Sequence, residues 1–139
     1  MKPRLPFRAI CAAAVLALAA AGCGEDVPDL IEEDSLRDCL TEAGSKVEAP
    51  DVGSAARLGN VSPDFRVMTA DGVAVDVVVQ GTPEKAERTA ANIQGALLSF
   101  GVEGSEVVSA QNAVVIFEKE PSSESRAAVA DCLGADAKT

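Results

Sequence analysis

The chain has 139 residues, of which 12 are Lys or Arg and 22 are Asp or Glu, giving a formal charge of −10. This length suits one small domain, and a hydrophobic fraction of 47% is too high for a disordered acidic segment. The acidic balance argues against nucleic-acid binding, which needs clustered Lys and Arg. The chain contains no His, which excludes Ser-His and Cys-His catalytic pairs and His-ligated zinc.

The N-terminus has the pattern of a secretory signal peptide. Lys2, Arg4 and Arg8 make it basic, and an unbroken apolar run follows from Ala9 to Ala21. Thirteen apolar residues are fewer than the roughly 20 that a membrane-spanning helix needs. The sequence therefore predicts that residues 1–22 direct export and are removed.

The residues at the end of this segment, Ala20-Ala21-Gly22-Cys23, resemble the lipobox of bacterial lipoproteins. The resemblance implies that Cys23 is lipidated and becomes the new N-terminus. Ala20 stands where the pattern usually has Leu, so ordinary cleavage after Ala19-Ala20-Ala21 is the alternative. Cysteine counting favours lipidation, because it leaves Cys39 and Cys132 as an even pair in an oxidising compartment.

The predicted mature chain is strongly acidic. It keeps nine basic and 22 acidic residues, a formal charge of −13, and six of those acids lie between Glu25 and Asp34. A calcium site is one interpretation of this run, but the spacing lacks the EF-hand loop pattern. We interpret residues 23–34 as a solvated tether that an anionic membrane surface repels, and we expect no bound metal and no cofactor.

Three segments have helical periodicity. The first lies within Asp29–Ala43, where Leu36, Cys39, Leu40 and Ala43 share one face and Gly44 follows. The second begins with Thr82 as N-cap and Pro83, carries the apolar stripe Ala86, Ala90, Ile93, Leu97 and Phe100, and ends before Gly101. The third begins at Ser122 or Ser123 after Pro121 and ends at Gly134.

Four strands are predicted in two pairs. Phe65–Thr69 and Val73–Gln80 flank the turn signal Asp71-Gly72, and Glu106–Ser109 and Ala113–Lys119 flank Gln111-Asn112. The run Ala113–Phe117 is apolar on both faces, which places it centrally in the sheet. Residues 45–63 are interpreted as a loop with one helical turn at Ser54–Leu58.

The resulting order of elements is α-ββ-α-ββ-α. It predicts a two-layer α+β sandwich over residues 35–134, with a four-stranded antiparallel sheet and helices mainly on one face. Residues 135–139 are interpreted as a short C-terminal tail. The ββαββ order of elements resembles the bacterial envelope modules BON and SPOR. The resemblance rests on Val75–Gly81, the second helix, and Gly101-Val102 with the Val-rich strand after it. Neither family's full pattern is present, so no residue roles are carried over.

Cys39 and Cys132 are predicted to form a structural disulfide. Asp38-Cys39-Leu40 in the first helix recurs as Asp131-Cys132-Leu133 in the last, with each cysteine on its helix's apolar side. A redox-active pair is the alternative, but such pairs usually occur as C-x-x-C at the start of a helix.

No catalytic motif is recognisable. The chain lacks the G-x-S-x-G, S-x-x-K and phosphate-binding glycine patterns. Its three aromatic residues after the signal segment, Phe65, Phe100 and Phe117, are all expected in the core, which leaves no ring for stacking on a glycan or base.

One sheet face is a candidate binding surface. Ala74, Asp76, Val78 and Gln80 share it, and packing of the first and third helices on the opposite face would leave it partly open. Coverage by residues 45–63 is the alternative.

The sequence thus favours a non-enzymatic lipoprotein anchored through Cys23 to the outer side of a bacterial cytoplasmic or other envelope membrane, which binds another envelope protein. One alternative is a lipoprotein that binds a small ligand or cation between the sheet and residues 45–63. The third is an envelope enzyme that uses two carboxylates.

Overall fold

The computed structural model describes residues 30–48 and 54–134. The signal segment, Cys23 and the tail at 135–139 lie outside these residues. The elements in chain order are α1 (Glu33–Glu42), β1 (Lys46–Glu48), α2 (Ser54–Leu58), β2 (Phe65–Met68), β3 (Ala74–Val79), α3 (Pro83–Phe100), β4 (Glu106–Ala110), β5 (Ala113–Phe117) and α4 (Ser123–Leu133). Glu33 and Asp34, which the sequence placed in the tether, form the first turn of α1.

The strands form one sheet in the order β1-β2-β3-β5-β4, and every neighbouring pair is antiparallel. The α+β class and the antiparallel sheet are confirmed, but the sheet has five strands where four were predicted. The additional strand, β1, pairs Val47 with Val67 within the segment interpreted as a loop. The central position of β5 is confirmed, since it lies between β3 and β4 with all five residues buried.

The prediction of helices mainly on one face is wrong, because helices cover both faces. Leu36 and Leu40 of α1 and Val129 and Leu133 of α4 pack on the face that carries Phe117. The stripe of α3 and the alanines of α2 pack on the face that carries Ile116. The apolar run of β5 explains this arrangement, because an apolar face left exposed to water would destabilise the fold and both faces of β5 are apolar.

The helix ends follow the local sequence as predicted. Thr82 caps α3 by accepting a hydrogen bond from Lys85 N, Pro83 follows it, and Gly101 ends the helix with φ +63°. Ser122 caps α4 by accepting from Ser125 N.

The predicted disulfide is confirmed. Cys39 of α1 and Cys132 of α4 are bonded, with their Cα atoms 5.7 Å apart and 93 positions between them in sequence. The bond joins two helices that already pack on the same face of the sheet.

The domain has two ends, set by the direction of the strands. At the entry end, the side chain of Asn112 contacts the backbone of both Ile31 and Gln80. At the far end, the Asp71 turn contacts the beginning of α4 at Ser122. The chain therefore enters the described fold beside the β4–β5 turn.

Candidate functional site

The sheet face proposed from the sequence as a binding surface is covered. Asp76 is 0% exposed and Val78 is 4% exposed, while Ala74 and Gln80 at its two ends are half-buried. Val78 packs with Ile93 of α3 and Ala56 of α2 in one apolar cluster. The prediction of an open surface is therefore wrong at its centre, because it assigned no helix to this face.

Asp76 is instead part of a buried ion pair. Its two carboxylate oxygens accept hydrogen bonds from Nε and Nη2 of Arg66 on β2, at 2.7 and 3.0 Å. Arg66 Nη2 also lies 3.7 Å from Oε1 of Glu118. Bidentate pairing offsets the cost of burying the Asp76 carboxylate, so removing one partner would leave an uncompensated charge in the middle of the sheet.

The open feature of the sheet is the outer edge of β4. Glu118 N donates to Ala74 O at 3.0 Å, so the backbone of Glu118 faces β3. Because backbone groups alternate along an antiparallel strand, Phe117 and Val115 face β4, where they pair with Glu106 and Val108. The N–H and C=O groups of Val107 and Ser109 consequently point away from the sheet, and no described strand pairs with them.

The other edge of the sheet is protected in the usual way. β1 has only three residues, and its first and last are the exposed charged residues Lys46 and Glu48. Short, charged edge strands resist pairing with another chain. In β4 the single charged residue is Glu106, whose carboxylate already binds Arg126 of α4 at 2.7 Å. The two edges therefore differ in their capacity to accept a further strand.

An apolar groove runs along the open edge. It has a volume of about 330 Å³, and its walls are the end of α3, the following loop and β4, formed by Gln94, Leu97, Leu98, Val102, Ser105, Glu106 and Val107. Leu98 is 83% exposed there. We call this groove together with the outer edge of β4 the β4 groove.

Most of the β4 groove comes from two charge-free stretches of an otherwise acidic chain. No Asp, Glu, Lys or Arg occurs from Thr89 to Val102 or from Val107 to Phe117. The first stretch supplies the helical wall of the groove and the second supplies its strand. The one charged residue in its lining is Glu106, whose carboxylate is bound to Arg126. A contiguous surface with an exposed Leu, an open strand edge and no unpaired charge is typical of a protein-binding site.

Phe100 corrects a second expectation from the sequence. Phe65 and Phe117 are buried as predicted, but Phe100 is 68% exposed. It is the last residue of α3, after which Gly101 turns the chain, so its side chain extends past the apolar stripe. The end of α3 thus carries two exposed large apolar side chains, Leu98 and Phe100.

A polar hollow at the far end serves the fold. It has a volume of about 260 Å³ and includes Asp71. The Asp71 carboxylate accepts hydrogen bonds from the hydroxyls of Thr69 and Ser125 and from Ser122 N, and these donors hold its pKa well below the usual range. The carboxylate therefore joins the β2–β3 turn to the beginning of α4.

Within residues 30–48 and 54–134, no three Cys, Asp or Glu side chains are grouped as a metal site requires. Across the same residues, no helix has the length and apolar composition of a membrane span. No protein-family model, curated protein or solved structure matches the chain.

Proposed function

We propose that this protein is a lipid-anchored, extracytoplasmic module of the bacterial envelope that binds other protein chains through the β4 groove. The observation that carries this proposal is the unpaired edge of β4 beside the exposed Leu98. The role is binding rather than catalysis.

The chemistry of the groove favours a protein strand as its occupant. Ser109 offers an N–H donor and a C=O acceptor, and Val107 offers its N–H, at the spacing of an extended backbone. The C=O of Val107 accepts a long hydrogen bond, 3.5 Å, from Nε2 of Gln94, which the N–H of an incoming strand would replace. The Leu98 side chain and the adjoining apolar wall suit the side chains that such a strand presents on one face. Main-chain pairing would supply affinity, and the groove would select the side chains.

The lipid anchor is proposed from the sequence, and the length of the tether sets how far the domain can stand from the membrane. Seven residues, Gly24 to Leu30, separate Cys23 from Ile31. A fully extended chain of this length reaches roughly 25 Å. The domain would thus stand close to the membrane while the acidic tether keeps it off an anionic surface.

The anchor is tested by the mass of the protein from the cell envelope. We expect a diacylglyceryl adduct on Cys23 and loss of membrane attachment in Cys23→Ala. An N-terminus at any other residue, or membrane attachment that survives this substitution, would disprove the anchor without affecting the binding proposal.

The binding proposal is tested by photo-crosslinking in cells. A benzophenone amino acid replaces Leu98 in the full-length chain, and the control places it at Glu84, an exposed residue at the opposite end of the same helix. We expect a recurrent protein adduct from position 98, identified by mass spectrometry, that is absent from position 84. Equal labelling from both positions, or none from position 98, would refute the β4 groove as a binding site.

A further inference from the structure

We propose that the strand that occupies the β4 groove is β4 of a second copy of this chain. The two strands pair antiparallel about a two-fold axis at Val108 and join the two sheets into one. This inference rests on the proposed function, because it names the partner of the same surface.

The hydrogen-bonding pattern of β4 is self-complementary. With the axis at Val108, Val107 of one protomer lies opposite the partner's Ser109, and Ser109 lies opposite the partner's Val107. Both residues direct their backbone groups outward, so each of these two positions forms a doubly hydrogen-bonded pair once Gln94 releases the C=O of Val107. Such an interface uses the same patch on both subunits, as a closed dimer requires.

The register follows from the one charged residue of β4. A two-fold axis at Val108 places Glu106 opposite the partner's Ala110, which carries no charge. An axis at Val107 would bring the two Glu106 residues about 7 Å apart along the strands, whereas the axis at Val108 separates them by about 13 Å. Like charges close together on paired strands are destabilising, which disfavours an axis at Val107. An axis at Ser109 would place Val107 opposite the partner's Gln111, which lies beyond the end of β4, so Val108 is the centre that pairs both outward residues within the strand.

Charge also favours a second copy over a basic partner. The predicted mature chain carries −13, so two copies repel each other over most of their surfaces. The β4 groove contributes little to this repulsion, because Glu106 is the one charged residue in its lining and is paired with Arg126. A basic partner would be attracted to the acidic surfaces elsewhere on the chain rather than to this groove, whose one carboxylate is already paired.

The position of the chain entry is compatible with this dimer. The two-fold axis at Val108 is perpendicular to the joined sheet, so the rotation does not exchange the two faces of the sheet. Equivalent helices of the two protomers therefore lie on the same face. α1 packs on one face of the sheet and follows directly from Ile31, which packs against the same cluster. Both tethers therefore emerge on the α1 side, where two anchors can reach one membrane, and α3 of each protomer lies on the opposite side with Leu98 beside the seam.

Membrane attachment would assist the pairing. Two chains held on the same surface meet at a raised effective concentration, so a short strand interface suffices where it would be weak between free molecules.

The test is a symmetric disulfide in the full-length protein. Val108 faces the partner's Val108 in a non-hydrogen-bonded pair, where Cα atoms lie about 4.5 Å apart and a disulfide can form. We expect Val108→Cys to give a covalent dimer in the cell envelope on a non-reducing gel. The matched control is Ala110→Cys, on the same strand and the same face and equally buried, whose two copies lie about 13 Å apart. The dimer fraction should be about tenfold or more higher for Val108→Cys, since only its position lies within bonding distance.

A second measurement does not depend on an introduced cysteine. Sedimentation of the detergent-solubilised, full-length chain should give a dimer, and Ser109→Pro should give a folded monomer, because proline removes an outward N–H without breaking the pairing of β4 with β5. Thermal unfolding of Ser109→Pro checks its fold, and Leu98→Glu repeats the test from the helical wall.

The outcomes separate this inference from the proposed function. Dimers from Val108→Cys alone, together with loss of the native dimer in a folded Ser109→Pro, support self-pairing. A monomeric chain, or equal dimers from both cysteine variants, overturns it. If position 98 then crosslinks to a different protein, the proposed function stands with another partner, and if it crosslinks to nothing, both fail.

Discussion

The side-chain amide of Asn112 forms hydrogen bonds with both the N–H and the C=O of Ile31. Its Oδ1 accepts from Ile31 N at 2.6 Å, and its Nδ2 donates to Ile31 O at 3.0 Å and to Gln80 O at 2.8 Å. The side chain is buried in the turn between β4 and β5. One side-chain amide therefore joins the entering chain at Ile31 to the end of β3 and the beginning of β5, although Ile31 and Asn112 are 81 positions apart in sequence.

Asn112→Ala should loosen this entry point. It leaves buried backbone groups without partners, and we expect the free energy of unfolding to fall by about 2 kcal/mol. Urea unfolding measures the loss, and hydrogen exchange at Ile31 should accelerate more than exchange in β5. Gln111→Ala, in the same turn, is the control and should have a smaller effect on both. Equal effects of the two variants would contradict the role given to Asn112.

The buried pair of Arg66 and Asp76 should be costly to break. Asp76→Ala leaves the guanidinium of Arg66 in a largely buried position, where its exposed fraction is 12%, without its bidentate partner. We expect a loss of about 3–5 kcal/mol in the free energy of unfolding. Asp34→Ala removes a carboxylate that is 91% exposed and contacts Arg37 at 3.4 Å, and should cost about 1 kcal/mol or less. Denaturant titration that gave equal losses for the two variants would argue against this account.

Acid should weaken the contact between the Asp71 turn and α4. Three donors lower the pKa of Asp71 in the folded chain below its unfolded value of 3.8. The stabilisation is therefore complete above the unfolded pKa and is lost as the pH falls through the folded pKa. The Tm of Asp71→Asn should lie below that of the wild type at pH 7, and the difference should shrink progressively on acidification below pH 4. Ser125→Ala removes one of the three donors and should show the same trend more weakly. A Tm difference that stays constant from pH 7 to pH 2 would refute the linkage.

The disulfide should contribute strongly to stability. Closing a loop of 93 positions restricts the unfolded chain, which by the loop-entropy relation corresponds to about 4–5 kcal/mol. Reductant should lower the Tm of the wild type to that of the Cys39→Ser, Cys132→Ser double variant, and should leave the Tm of the double variant unchanged. A wild-type Tm that does not change on complete reduction would contradict a stabilising role for the disulfide.

Two glycines should respond to alanine in opposite directions. A Cβ at Gly59 would lie 2.5 Å from Cγ1 of Ile93 and 3.3 Å from its Cα, so Gly59→Ala forces α2 and α3 apart and should cost about 1–3 kcal/mol. A Cβ at Gly95, within α3, meets nothing within 4 Å, so Gly95→Ala should stabilise the fold by about 0.5–1 kcal/mol. Thermal unfolding of both variants gives the two signs, and a loss of stability in Gly95→Ala would contradict the expectation for the open position in α3.

Local patterns in the sequence were sufficient to predict most elements. Thr82-Pro83 and Gly101 bound α3, and Ser122 begins α4, because caps depend on neighbouring residues alone. β1 was missed because its three residues present two charges and show no apolar alternation, and only its pairing with β2 makes it a strand.

The candidate site was less accessible to sequence reasoning. Which strand forms the edge depends on β3 pairing with β5. The apolar run of β5 indicated its central position, but no local pattern identified β3 as its second neighbour. The covering of Asp76 and Val78 was nevertheless implied by β5, since a strand that is apolar on both faces requires a layer on each. The charge-free run from Thr89 to Val102 was visible, and it is the one sequence signal that marks the β4 groove.

The disulfide also determines how the domain carries mechanical load. Tension applied between the N-terminal tether and the C-terminal tail enters α1 and crosses directly to α4 through the covalent bond between Cys39 and Cys132. All five strands lie between these cysteines in sequence, so they are outside the path of the force. A pull on the chain ends would unwind the part of α1 that precedes Cys39 and would release only Leu133 from the end of α4. The sheet with its β4 edge would remain intact until the sulfur–sulfur bond is reduced.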